Sequence, residues 1–161
     1  MTPQLKVAGI SAAVCALTAA LVMPAEGLRL MPYRDPVGIV TDCWGHTKTA
    51  KLGQVNTPAD CRRKLEGDFA EHDAGLRLCV KVDMPDHVHA AVLSFTFNVG
   101  VAKACASALV RKLNAGDVLG ACAELSRWTL AGGRELPGLV KRRAAERETC
   151  EGRPASLGVQ G

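Results

Sequence analysis

No Cys-x-x-Cys pair and no His-x-x-x-His step occurs in these 161 residues, so seven cysteines and four histidines lack the spacings that build metal sites. No metal or other cofactor is expected. An internal repeat and a low-complexity linker are also missing, which leaves one folded unit. The 48% of hydrophobic residues suffice for its core without implying a polytopic membrane protein. Basic residues exceed acidic ones by only four (20 against 16), and they are scattered apart from Lys141, Arg142 and Arg143. That argues against a nucleic-acid partner, and the triplet reads as one exposed helix face.

Charge is absent from residues 7–25, nineteen positions between Lys6 and Glu26. The run is long enough to span a bilayer but makes a weak anchor. Ten of the nineteen are Ala, Gly, Ser or Thr, and only seven (Val7, Ile10, Val14, Leu17, Leu21, Val22, Met23) are large aliphatic residues. A secretory signal cleaved after Ala20, with Thr18 and Ala20 as the small residues, is the competing reading. Met23 and Pro24 spoil a cleavage site nearer Glu26, and no spacer separates the run from that residue. The distribution of positive charge, with Arg29 and Arg34 beyond the run, does not favour export, although a long following domain lies outside the regime where that count decides.

Cys15 lies in the apolar run and six further cysteines (43, 61, 79, 105, 122 and 150) are spread through the rest, which suits an oxidising compartment with up to three disulfides. Six cysteines allow fifteen pairings and sequence does not decide among them; the working set is Cys43 with Cys61, Cys79 with Cys105, and Cys122 with Cys150.

After the run come two carboxyls and a hydroxyl: Glu26, Asp35 and Thr41. Pro32, Pro36 and Gly38 imply that a helix beginning near Glu26 stops by about Met31 and that Asp35 sits in a turn. Ile39, Val40 and Thr41 then favour a strand ending near Gly45. A proton-donating acid with a second carboxylate that directs water or attacks the sugar is what glycosidic cleavage requires. Spacing alone carries little weight, since most carboxylates are solvated surface groups.

Beyond this stretch the pattern is helical. Thr57, Pro58 and Asp60 form an N-terminal signal, followed by Cys61, Leu65 and Phe69 at four-residue steps. Asp83 and Pro85 open a second helix with Val88, Val92 and Phe95 on one face, ending near Gly100. Asn114, Gly116 and Asp117 separate two more, and Gly132, Gly133 and Pro137 precede the last.

The segment Glu26–Thr47, with Glu-Gly-Leu-Arg-Leu, Tyr-Arg-Asp, Gly-x-x-Thr and Gly-His-Thr, resembles the phage-type lysozymes, the endolysin family that includes those of lambda-like phages. FTFNVG at 95–100, LVRKLNAG at 109–116, SRWTLAGG at 126–133 and LPGLVKRR at 136–143 extend the resemblance over residues 25–151. It implies an α+β, mainly α, lysozyme-like fold of two lobes. A small β lobe at about 33–56 and a helical body would flank a cleft. It implies that Glu26 is the general acid, that Asp35 directs the attacking water and that Thr41 helps hold it. Thr47, Phe97 and Asn98 would line the cleft, although Phe97 reads equally well as a core aromatic. In related enzymes an arginine of the last long helix pairs with the glutamate. Leu139 stands there in this chain, which leaves Arg142 as the candidate partner.

The implied substrate is peptidoglycan, cut at the β-1,4 bond between N-acetylmuramic acid and N-acetylglucosamine, by a monomer whose mild basicity suits an anionic wall. Residues 1–25 resemble the releasable anchor of signal-anchor-release endolysins, with residues 26–161 as the catalytic domain. Such an enzyme is exported tethered to the host inner membrane through residues 7–25, then freed into the periplasm. In some relatives an anchor cysteine exchanges into a disulfide near the site, which makes Cys15 and Cys43 a candidate redox switch. Three other readings stand beside this one: a lytic transglycosylase needing only Glu26, a peptidase using Cys43 and His46, and a non-catalytic wall-binding protein. Cys43 and His46 would point to opposite faces of a continuing strand, and His46 reads better as a structural residue below the site.

Overall fold

The computed structural model describes residues 9–155. The uncharged run does not stop short of Glu26: residues Ala12–Glu26 form helix α1, of which Glu26 is the last residue. Ser11 caps its start by accepting from Val14 N at 3.1 Å. Gly27 ends it at φ 71°, a left-handed conformation that glycine adopts without steric penalty. The helix stops before Met31, as the prolines require, but it ends at Glu26 rather than beginning there, and after two intervening residues the chain enters strand β1 (Arg29–Arg34). Among the described residues no helix is long and apolar enough to cross a membrane.

β1 pairs antiparallel with β2 (Val40–Cys43), with Tyr33 opposite Thr41 and Arg34 opposite Val40. The register breaks between Arg29 and Tyr33, where Pro32 has no N–H to offer the ladder. The loop after β2 closes on mutual Asp42–His46 backbone bonds of 2.9 Å. Asn56 ties this hairpin together by donating its Nδ2 to Leu30 O and Asp42 Oδ2, and Lys64 pairs with Asp42 at 2.6 Å.

The helical body follows the capping signals. Helix α2 (Pro58–Cys79) opens with a full capping box between Thr57 and Asp60. Helices α3 (Asp86–Val99), α5 (Ala108–Asn114), α6 (Val118–Glu124) and α7 (Pro137–Cys150) stand where the breakers placed them. Unforeseen are a one-turn α4 (Val101–Cys105) and a two-residue hairpin, β3 (Leu130–Ala131) with β4 (Arg134–Glu135).

Helix α3 is buried on every side from Ala90 to Thr96 and divides the core in two, as a helix apolar all round must. Val88, Val92 and Phe95 join Leu109, Leu113, Leu125 and Cys150 in one cluster. Ala90 and Leu93 join the other, where Val14, Cys15, Ala19 and Val22 of α1 meet Cys43, Trp44, Cys61, Leu65 and Phe69. One side of the run's described part is therefore core here, and each fully buried Val contributes roughly 1.5–3 kcal/mol. The start of this segment is held as well. Arg77 donates to Gly9 O while also pairing with Asp73, and Asp73 meets His89 Nε2 at 2.5 Å. Burial alone would raise Asp73, but His89 and Arg77 outweigh it and hold its carboxyl below the usual range. Disulfides join Cys43 to Cys61, Cys79 to Cys105 and Cys122 to Cys150, the working set among the fifteen.

Candidate active site

Glu26 projects from the end of α1 between α7 and the β hairpin. Its Oε1 accepts from Arg142 Nη1 at 2.6 Å, so the arginine of α7 that the Leu139 departure left as candidate is the partner. Its Oε2 lies against Gly45, where a β-carbon would stand 3.0 Å away. Gly45 has φ 75°, which lets the loop turn tightly beside the carboxylate. The Glu26 side chain remains 24% exposed, enough for a substrate atom to reach it.

Asp35 and Thr41 sit on that hairpin and share one anchor, the peptide of Ile39. Asp35 Oδ1 accepts from Ile39 N at 2.8 Å and Val37 N at 3.0 Å, while Asp35 N donates to Ile39 O. Thr41 Oγ1 donates to Ile39 O at 3.2 Å. One Asp35 oxygen is thus fixed by backbone N–H groups. Among the described residues, no hydrogen bond reaches the other. Thr41 is buried, its proton committed, and its oxygen keeps acceptor capacity for a water.

A cavity of about 290 Å³ opens beside Gly45 and is lined also by Thr47, Lys48, Asp68, Glu71, His72 and Phe97. Two of the expected cleft residues, Thr47 and Phe97, meet in it. Phe97 packs edge-on against Phe69 and tilts against His72. Asn98 is not part of that lining: it is exposed, and its Oδ1 accepts from Arg143 Nη2 at 2.8 Å. Lys48 and Glu71 bridge the hairpin side and α2 at 2.5 Å. Sequence reasoning did not single out Lys48, Glu71 or His72, which carried no spacing signal.

His46 accepts from Thr49 N through Nε2, so its proton lies on Nδ1, donated to Asp68 at 2.8 Å. Its ring is fully engaged as a structural brace. Cys43 is bonded to Cys61 and has no thiolate to offer, which removes the Cys43–His46 pair as a nucleophile and base in this form. Cys15 lies outside the three disulfides, buried in the same apolar cluster as Cys43 and Cys61. The described residues hold no group of side chains suited to a metal ion.

Behind Glu26 the basic triplet departs from the exposed face expected of it. Lys141 is exposed, but Arg142 and Arg143 are buried. Arg142 Nε lies 3.3 Å from Glu146 Oε1, and Arg143 Nε lies 3.0 Å from Glu146 Oε2. Arg143 also stands over the Phe95 ring. Facing partners on α1 and α3 explain the burial, and those were invisible from the triplet alone.

The phage lysozyme family model matches residues 23–146. A SAR-endolysin of bacteriophage PS119 is 43% identical over 126 residues, covering 78% of this chain and 75% of the relative. Among solved structures, the muramidase domain of SpmX from Asticaccaulis excentricus superposes with a TM-score of 0.77 at 27% identity, covering 90% of this chain and 98% of that one. The active form of P1 phage endolysin Lyz gives 0.75 at 25% identity, covering 94% and 88%. With that extent of match laid over a two-lobed, mainly helical fold, the chain belongs to the phage lysozyme family of peptidoglycan-cleaving glycoside hydrolases.

Proposed function

We propose that this enzyme hydrolyses the β-1,4 bond between N-acetylmuramic acid and N-acetylglucosamine. The observation that carries the reading is Glu26 bonded to Arg142 and lying against Gly45, a residue that lines the cavity and follows the hairpin bearing Asp35 and Thr41. Glu26 protonates the leaving oxygen. Asp35 takes the proton of an attacking water with its uncommitted oxygen, and Thr41 accepts a hydrogen bond from the same water, which yields inversion. Thr47 and Phe97 support the sugar.

Glu26→Gln tests the acid: it should lower lytic activity at least a hundredfold. Full activity in that variant would sink the glycosidase reading. Mass analysis of digested peptidoglycan separates the rival on the same bond, with reducing ends expected from hydrolysis and anhydromuramyl ends from a transglycosylase.

Residues 1–25 serve in this reading as a releasable anchor, delivering the enzyme tethered to the outer face of the inner membrane and then letting it go into the periplasm. Support comes from the uncharged, small-residue run and from the SAR-endolysin name of the relatives. Packing adds a physical coupling: Val14, Ala19 and Val22 cannot fill the core and lie in a bilayer at once, and Glu26 ends the same helix. Leaving the membrane therefore assembles the site. Sequencing the N-terminus of the periplasmic form checks this, with Met1 or Thr2 expected and a start near residue 21 contradicting it. Cys15 exchange into the Cys43–Cys61 bond would add a redox step; unchanged lysis timing in Cys15→Ser would rule it out.

A further inference from the structure

Glu146 is completely buried on α7, yet nothing in the reaction above uses it. Its Oε1 accepts from Ser94 Oγ at 2.7 Å, Arg142 Nε at 3.3 Å and Arg143 Nη2 at 3.3 Å. Helical spacing supplies the two guanidiniums, four and three residues before it, and α3 supplies the hydroxyl. Arg142 consequently spans two carboxylates, presenting Nε to Glu146 and Nη1 to Glu26.

The charge balance gives this arrangement a role. Glu146 sits against both guanidiniums, and of the two Arg142 alone also bonds Glu26. Without Glu146, two guanidiniums would stand near a single carboxylate, and nearby positive charge favours the ionised form of an acid. A general acid must instead carry its proton at working pH. We propose that Glu146, which touches no substrate, is a positioning residue: it aims Arg142 at Glu26 and offsets that guanidinium's charge, so that Glu26 is held in place by a cation already partnered.

Burial pushes Glu146 above the usual carboxylate range, opposed by the two guanidiniums and Ser94, and the same burial lowers Arg143. Of the other charges around α7, Lys141 is exposed and several more are paired. Glu124 lies 3.5 Å from Arg127 and 2.6 Å from Lys112, and Arg147 meets Glu151 at 2.7 Å. On the hairpin side of Glu26 the His46 ring is taken by Asp68 and Thr49. Arg142 is thus the cation through which Glu146 reaches Glu26.

The inference rests on Glu26 as the acid, and the test separates the two. Rates at saturating peptidoglycan would be measured against pH for Glu146→Gln and Ser94→Ala, with Glu26→Gln as reference. Glu146→Gln should move the alkaline limb down by about one pH unit, about tenfold in rate on that side, at unchanged half-saturation. Ser94→Ala should move it the same way by less, and it decides the matter where Glu146→Gln does not fold. A profile superimposable on that of the parent enzyme, or an equal loss at every pH, overturns the positioning role. Activity surviving in Glu26→Gln overturns the acid assignment instead.

Discussion

The Cα of Gly45 lies so close to Glu26 that a methyl group there would stand 3.0 Å from Oε2. Gly45 also has φ 75°, where a side chain costs about 1–2 kcal/mol. Both effects act on Gly45→Ala, but they read out differently. Backbone strain lowers the unfolding free energy by about 1–2 kcal/mol. Displacement of the carboxylate lowers the rate by about a hundredfold for a shift approaching 1 Å. Thermal unfolding beside a turnover assay checks this; a stability loss with full activity would show that Glu26 accommodates the methyl.

Arg142 holds two acids with one guanidinium, so replacing it should hurt more than replacing a surface arginine. Arg142→Met leaves Glu26 and the buried Glu146 without their shared cation. Breaking such a buried pair costs about 3–5 kcal/mol. Arg63→Met, which removes an exposed partner of Asp60, should leave stability almost unchanged. Urea titration of the two variants gives the comparison, and equal midpoints would contradict the role assigned to Arg142.

Much of the body was legible in the sequence because capping is local chemistry. Thr57, Pro58 and Asp60 mark the start of α2 and are found in a complete capping box. The packing of α1 was not legible, because the residues on α3 and the hairpin that cover its apolar side are far away in sequence. The β3–β4 hairpin has two residues a side, too few for alternation to register, although Gly132 and Gly133 announced a break. In the site, Arg142 could be named only through the family resemblance. The burial of Arg143 and the role of Glu146 depend on Ser94, which lies 52 residues from Glu146.

Asp73 gives the pH dependence of stability a defined sign. His89 and Arg77 hold it below the ordinary carboxylate range against the effect of burial. Its contribution is therefore present above the unfolded-state value and lost as pH falls through the lower folded-state value. Asp73→Asn should lower the unfolding temperature at pH 7, by an amount corresponding to about 1–3 kcal/mol, and the gap to the parent enzyme should close in strong acid. Because Arg77 also holds Gly9 O, hydrogen exchange at the start of α1 should rise in the variant. A gap that widened toward low pH would reverse the sign argued here.

Two of the disulfides should differ in what their loss does to catalysis. Cys122–Cys150 closes 28 residues and ties α6 to α7, while Cys43–Cys61 closes 18 and ties the hairpin to α2. Chain entropy assigns about 3–4 kcal/mol to either. Cys150, however, lies eight residues beyond Arg142 on α7, about 12 Å along the axis. Cys43 lies between Thr41 and Gly45 and holds φ 52°, a left-handed conformation unusual for any residue but glycine. Replacing both cysteines by alanine in each pair should therefore lower stability similarly. Turnover at low temperature should persist without Cys122–Cys150 and fall without Cys43–Cys61, as the turn beside Glu26 relaxes. Equal turnover in the two double variants, each shown to be folded, would mean that the hairpin holds its shape without the bond.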